Sequence, residues 1–331
     1  MYPLRFHRID AAKPWAGARL RKLFPAQAAE VPEGTGEWIE VCDFPGQSSV
    51  VANGQWRGQT LHDLMRTRRS MLLGELATDS PDDFPLCVKF LDTAQPLSIQ
   101  DHPQDVREHA SHTPREAARL TRRGKSECWL VLDAAPGAVI WQGLKPGVTP
   151  AQFGNALADG DPPALLNARA VKPGDFLYNP AGMVHAIGAD VALLEIQQNC
   201  PITYRLWDFP RPGTSEKREM HVQQGIKAAR LDLPLPQILP THGDNVLLAP
   251  SSPFGVRSLR VTSAAPHAKA WPGFTLHTCL QGECEVTGRA RDNLQPTILT
   301  PGDTVLWPAA FTEFELYPRN DCWLVVSWAV E

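Results

Sequence analysis

The segment VKPGDFLYNPAGMVHAI at 171–187 and the segment LTPGDTVLWPAAFTEFE at 299–315 align without a gap at a constant offset of 128 residues. Each carries a Pro-Gly-Asp turn, a short run of β-forming residues and a Pro-Ala pair, Pro180–Ala181 in the first and Pro308–Ala309 in the second. One supersecondary unit met twice at a fixed spacing implies two copies of one architecture. Runs this short, bounded by Pro and Gly and rich in β-branched and aromatic residues, read as strands joined by tight turns. The copies differ where chemistry is concerned, because the place of His185 is taken by Glu313. Two homologous barrels are therefore expected, of which only the first keeps the histidine.

Working outward, further strands are expected in PLSIQDH (96–102), CWLVLDA (128–134), AVIWQGL (138–144), VALLEIQQN (191–199) and ITYRLWDF (202–209). Helices occupy part of the N-terminal half. Residues 59–79 repeat Leu61, Leu64, Met65, Leu72 and Leu73 at near-helical spacing, and 104–123 is charged and of helix-forming composition. Thr149 to Ala170 opens T-P-A-Q, an N-cap followed by proline, and reads as a short helical insert. The proline-rich stretch 231–253 breaks the strand pattern. The domain boundary falls there, giving a metal-binding domain at 1–240 and a metal-free one at 247–331.

A chain of 331 residues exceeds what one core usually organises, in keeping with two domains. The 31 prolines and 24 glycines fit many short strands. A formal charge of −4 offers no basic surplus for nucleic acid, so any anionic ligand must be met by a local cluster of cations. The seven cysteines, at 42, 87, 128, 200, 279, 284 and 322, are odd in number and form no C-x-x-C pair, and they read as reduced buried thiols. No apolar leader follows MYPLRFHRID and no run is long enough for a membrane span, so a cytoplasmic address is expected.

Gln100 and His102 stand two apart on an expected strand, where alternate side chains share a face. Taken alone, such a pair is ordinarily a hydrogen-bonded polar pair. Lys125 and Glu127 repeat the spacing in GKSECW (124–129), where a solvated charge pair is the ordinary reading. His185 follows a Pro-Ala-Gly turn, where a core histidine is equally common. Glu195 and Arg205 sit in surroundings too apolar for casual charges and read as neighbours across a hairpin that turns at Asn199–Pro201. Together, Gln100, His102, Glu127 and His185 supply two imidazoles, a carboxylate and an amide oxygen. That set suits Zn²⁺ with a position left open for water or substrate.

These residues carry a resemblance. The chain resembles the mannose-6-phosphate isomerases of the bacterial type over nearly its whole length, from PLRFHRIDAAKPWAGARLRKLF (3–24) and SSVVANGQWRGQTLHDLM (48–65) through KFLDTAQPLSIQDHP (89–103), GKSECWLVLDA (124–134) and VKPGDFLYNPAGMVHAIG (171–188) to LLEIQQNCPITYRLWDF (193–209) and REMHVQQGIKAAR (218–230). The resemblance implies a mainly β fold of two cupin, jelly-roll-like barrels with helical insertions in the N-terminal half. It implies one Zn²⁺ per chain held by Gln100, His102, Glu127 and His185. Arg205 becomes the catalytic arginine, Lys125 and Glu195 line the substrate pocket, and Ser98 and Lys89 are candidates for the phosphate side. Asp101 and Trp38 depart from the family pattern, Asp101 on the strand face turned away from the metal.

The reaction implied is aldose–ketose isomerisation of a hexose 6-phosphate through a cis-enediol(ate), by a monomeric enzyme. The oxyanion charge is met by the ion and Arg205, while Glu195, Glu127 and Lys125 remain alternatives for moving the proton. Two rivals are weighed. A cupin oxygenase would hold Fe(II) with His102, Glu127 and His185, but needs neither Gln100 nor the Lys125 and Arg205 cations. A sugar-phosphate-binding protein without turnover would be expected to lose a ligand or the arginine, and all are present.

Overall fold

A computed structural model describes residues 2–77, 82–105, 123–211, 218–249, 253–268, 273–288, 296–311 and 313–330. Among the described residues its strands form five antiparallel sheets, the smallest being the pair Asp43–Phe44 and Gln47–Ser48. A five-stranded sheet runs Leu166–Ala170, Val139–Leu144, His185–Ile187, Ile99–Asp101, Tyr204–Trp207. Against it lies a seven-stranded sheet, in the order Leu239–Pro240, Asp175–Asn179, Glu127–Ala134, Val191–Gln198, Leu86–Thr93, Thr35–Val41, Ile9–Ala12. A six-stranded sheet follows, built on Thr304–Trp307, Thr275–Gln281, Cys322–Ala329, Phe254–Val261 and Asn245–Ala249, and then a four-stranded one from Ala265–Ala268, Glu313–Pro318, Cys284–Gly288 and Thr297–Leu299.

Strand alternation explains the layering. Trp129, Val131 and Leu193 pack toward Ile140 and Ile187 of the five-stranded sheet, whereas Cys128, Leu130, Leu194 and Ile196 pack toward Phe254, Leu276 and Leu306 of the six-stranded one. A strand with apolar partners on both sides has no reason to alternate in polarity, and Val191–Gln198 is buried at every residue. The outermost core gathers Cys279, Val305 and Leu324 with Cys284, Val286 and Leu316. The free cysteines are all buried.

The repeat extends to pairing register. His185 lies opposite Gln100 and Asn179 opposite Glu127; 128 residues on, Glu313 lies opposite Ala268 and Trp307 opposite Thr275. A strand pairing links the two halves at the start of the chain, because Leu4 and Arg5 pair with Leu306 and Val305.

The helix expected in 59–79 forms at Leu61–Leu73, opened by a Thr60/Asp63 capping box and closed at Gly74, whose φ of 64° suits a residue without a Cβ. Within 149–170 the helix covers Pro150–Asp159, and Leu166–Ala170 is a strand rather than part of the insert. Most of the charged stretch at 104–123 lies outside the described residues. The expected hairpin between Glu195 and Arg205 does not form: Val191–Gln198 belongs to the seven-stranded sheet and Tyr204–Trp207 to the five-stranded one. Pairing with Ile99–Asp101 sets Arg205 opposite Gln100 instead.

Candidate functional site

The site lies between the five- and seven-stranded sheets. His102, Glu127 and His185 bring their ligand atoms within 4.8 Å of one another, and each is 1% exposed. Nε2 of His102 is 3.3 Å from Oε2 of Glu127, and Nε2 of His185 is 3.2 Å from its Oε1. Gln100 joins them through Nε2, 3.3 Å from Nε2 of His185, while its Oε1 accepts from Ser98 at 3.1 Å.

The donor set fits a metal. The Ile202 carbonyl lies 3.0 Å from Nδ1 of His102, and the Met183 carbonyl 2.8 Å from Nδ1 of His185. A carbonyl only accepts, so at His102 it favours the tautomer with hydrogen on Nδ1 and a lone pair on the Nε2 that faces the cluster; at His185 the Met183 carbonyl favours the same tautomer, whereas the Asn179 amide nitrogen beside the same Nδ1 donates and favours the other. Asn179 stands beside two of the donors, its Nδ2 2.8 Å from Nδ1 of His185 and 3.4 Å from Oε1 of Glu127. The turn before His185 is pinned to the same elements, Ala181 N–H donating to Ser126 Oγ at 3.1 Å and Gly182 N–H to the His102 carbonyl at 3.0 Å.

Charges alternate away from the cluster. Lys125 Nζ donates to Oε2 of Glu127 at 2.7 Å and lies 4.0 Å from Oε1 of Glu195. Lys89 pairs with Glu195 at 3.2 Å and Glu37 at 3.6 Å, and Glu37 reaches Lys13 at 3.2 Å. Trp129 Nε1 donates to the other oxygen of Glu195 at 3.1 Å. Burial would raise the carboxyl of Glu127, but Lys125 and the two imidazoles hold it well below the usual range. Burial raises that of Glu195 despite Lys89. Burial and the adjacent Lys125 ammonium push the His102 imidazole down to about 3, the neutral form a metal needs.

Each residue singled out in the sequence can be placed. Gln100, His102, Glu127 and His185 converge, with Lys125, Glu195 and Ser98 around them. Lys89 is engaged by two carboxylates. Arg205 is not paired with Glu195: its Nη1 donates to the Glu219 carbonyl at 2.6 Å. Burial lowers its pKa, and the charges of Arg218 and Arg211 act in the same direction. Asp208 binds Arg211 at 2.7 Å and Arg218 through both of its oxygens. The sequence reading missed this cluster, although the three-residue spacing of Arg205, Asp208 and Arg211 was available as a signal. Asp101 pairs in register with Tyr204, is fully buried and stands outside the ligand cluster. Trp38 lies at the junction of sheets, beneath the Arg8 guanidinium at 4.7 Å.

Comparisons with known proteins find relatives over nearly the whole chain. A family model described as phosphomannose isomerase type I, catalytic domain, matches residues 11–130. Mannose-6-phosphate isomerase ManA of Bacillus subtilis (strain 168) is 33% identical over 332 residues, covering 97% of this chain and 97% of that protein. The mannose-6-phosphate isomerase of Streptococcus mutans is 33% identical over 304 residues, covering 89% of each. The crystal structure of mannose 6-phosphate isomerase from Bacillus subtilis superposes with a TM-score of 0.82 at 26% identity, over 99% of this chain and 100% of that one. A zinc-bound mannose 6-phosphate isomerase shares the fold with a TM-score of 0.74 at 16% identity, over 99% and 100% of the two chains. Among the described residues no helix is long and apolar enough to cross a membrane.

Proposed function

The chain belongs to the mannose-6-phosphate isomerase family, and from that premise we propose that it interconverts mannose 6-phosphate and fructose 6-phosphate at one Zn²⁺ held by Gln100, His102, Glu127 and His185. The observation that carries this reading is the buried His102, Glu127 and His185 cluster, with a carbonyl beside Nδ1 of each imidazole. When bound, the ion supplies Lewis-acid stabilisation of charge developing on the sugar oxygens.

The residues of the chain do the rest. Moving a proton between C1 and C2 needs a base on one face of the substrate. Glu195 suits that task, because burial raises its carboxyl and Trp129 and Lys89 fix its orientation. Lys125, close to both Glu195 and Glu127, moves the hydroxyl proton. Arg205, inward-facing beside Gln100, offers a fixed positive charge to the enediolate. Lys89 and Ser98 hold Glu195 and Gln100 in place, and the phosphate meets Arg211 and Arg218, which share Asp208. Binding energy from the phosphate positions the reacting end of the sugar. The catalytic unit spans 1–240 and the unit at 247–331 is structural.

A coupled assay across mannose 6-phosphate, glucose 6-phosphate and free pentoses tests the reading. Turnover of mannose 6-phosphate that disappears on chelation and returns with zinc is expected. Turnover that survives removal of the metal, or oxygen uptake in place of isomerisation, would overturn it.

A further inference from the structure

The atoms that suit the metal are also used by a cation of the chain itself. Lys125 Nζ lies 2.9 Å from Nε2 of His102 and 2.7 Å from Oε2 of Glu127. Both distances are those of direct hydrogen bonds to two members of the ligand cluster. The ammonium is delivered there by a fixed backbone: Gly124 N–H donates to Asp105 at 2.7 Å, Lys125 N–H to the Pro103 carbonyl at 2.9 Å and Ser126 N–H to Gln198 at 2.8 Å. Lys125 is 5% exposed, so little water screens its charge.

We infer that Lys125 is a tethered competitor of the metal, sharing His102 and Glu127 with it and holding the affinity of the site below what its four donors would otherwise give. The inference rests on the metal-dependent reading above and adds a regulation of the same site. Two effects act in one direction. A lone pair on His102 Nε2 that accepts from an ammonium is unavailable to an ion, and an ammonium at this distance repels a divalent cation held by the same carboxylate. Metal loading therefore turns the ammonium away from its two partners toward the only other carboxylate within 4.0 Å among the described residues, Glu195. Loading and the arming of Lys125 for substrate become one event.

The test measures zinc affinity at fixed pH and ionic strength, by competition with a chromogenic chelator, for wild type, Lys125→Met, Lys125→Gln, Lys125→Arg and His102→Ala. The melting temperature of each protein is recorded with and without zinc. Both neutral variants are expected to bind zinc about tenfold or more tightly than wild type, and Lys125→Arg to stay within about threefold of it. The metal-stripped Lys125→Met protein should melt below stripped wild type, and saturating zinc should close the gap, which a purely structural role of the lysine would not do. Affinities in both neutral variants equal to or weaker than wild type would overturn the inference while leaving the zinc site intact. If wild type binds zinc no better than His102→Ala, the metal-dependent reading itself falls and takes this inference with it.

Discussion

The two Pro-Gly-Asp segments make the same turn and the same strand pairings yet set different residues at the registered positions. In the first, the registered positions are Gln100, Glu127, Asn179 and His185; in the second they are Ala268, Thr275, Trp307 and Glu313. Trp307, 1% exposed and stacked edge-on against Phe311 at 5.6 Å, packs where the first copy has an amide beside its ligands. The Pro-Ala turns diverge in the same way. Ala181 and Gly182 donate to Ser126 and His102 beside the cluster, whereas Ala309 and Ala310 donate at 2.9 and 3.3 Å to the Leu72 and Met71 carbonyls at the end of the helix Leu61–Leu73. A helix C-terminus has carbonyls with no partner of its own. One turn thus steadies ligands in the first copy and caps a helix in the second, which teaches that the scaffold and its chemistry were separable.

The largest effect should come from breaking the first interior. His185→Ala removes a ligand outright and should lower both zinc retention and turnover by more than the roughly hundredfold that loss of an outer-shell partner can cost. Retention of both, measured by metal analysis and the coupled assay, would erase the contrast between the copies.

Arg205→Ala should cost about a hundredfold in turnover, because loss of one preorganised donor is on the order of 3 kcal/mol in the transition state, and Arg205→Lys should recover part of it. Glu195 is already bound by Lys89 and Trp129, so the melting temperature and zinc content should hold. Unfolding in proportion to lost activity would make the arginine structural.

On the other side of the comparison, Leu4→Ala attacks the second copy where the start of the chain joins its sheet. Leu4 is fully buried opposite Leu306, and deletion of such a side chain costs about 2–5 kcal/mol. Denaturant unfolding should show that loss with zinc content per folded chain unchanged. A parallel loss of zinc would mean that the second copy shapes the metal centre.

A smaller, pH-dependent effect is expected where the copies meet. Burial pushes Glu40 up to about 7, even with Arg8 at 2.5 Å and with Asp303 and Asp10 adding to the rise. Arg8 also donates to the Gly302 carbonyl of the second Pro-Gly-Asp turn at 3.1 Å. A group whose folded pKa lies above its unfolded value stabilises fully below the unfolded value, and that contribution is lost as pH rises through the folded one. Wild type should therefore lose stability relative to Glu40→Gln between about pH 4.5 and 7. A constant difference in melting temperature across that window would contradict the assignment.

What the sequence made legible was local. Short β-branched and aromatic runs bounded by tight turns placed the strands, and the two-apart spacing of Gln100 with His102 set both on one face before any fold was known. The contacts left illegible join residues distant in the chain. Leu4 pairs with Leu306, and Arg205 pairs with Gln100 rather than crossing a hairpin to Glu195. Short spacing along the chain favours a hairpin, but Val191–Gln198 was claimed on both edges by Glu127–Ala134 and Leu86–Thr93, leaving no edge for Tyr204–Trp207. The double use of His102 and Glu127 by Lys125 was hidden likewise, because it depends on where an ammonium ends after a long flexible stem.

The most direct test of the account is the metal stoichiometry of wild type, His185→Ala and Glu313→Gln after equilibration with zinc and removal of loosely bound ion. One zinc per chain is expected in wild type and in Glu313→Gln, with turnover unchanged in the latter, and none in His185→Ala. Two zinc ions per wild-type chain, or the loss of zinc in Glu313→Gln, would contradict the claim that the metal belongs to the first copy alone.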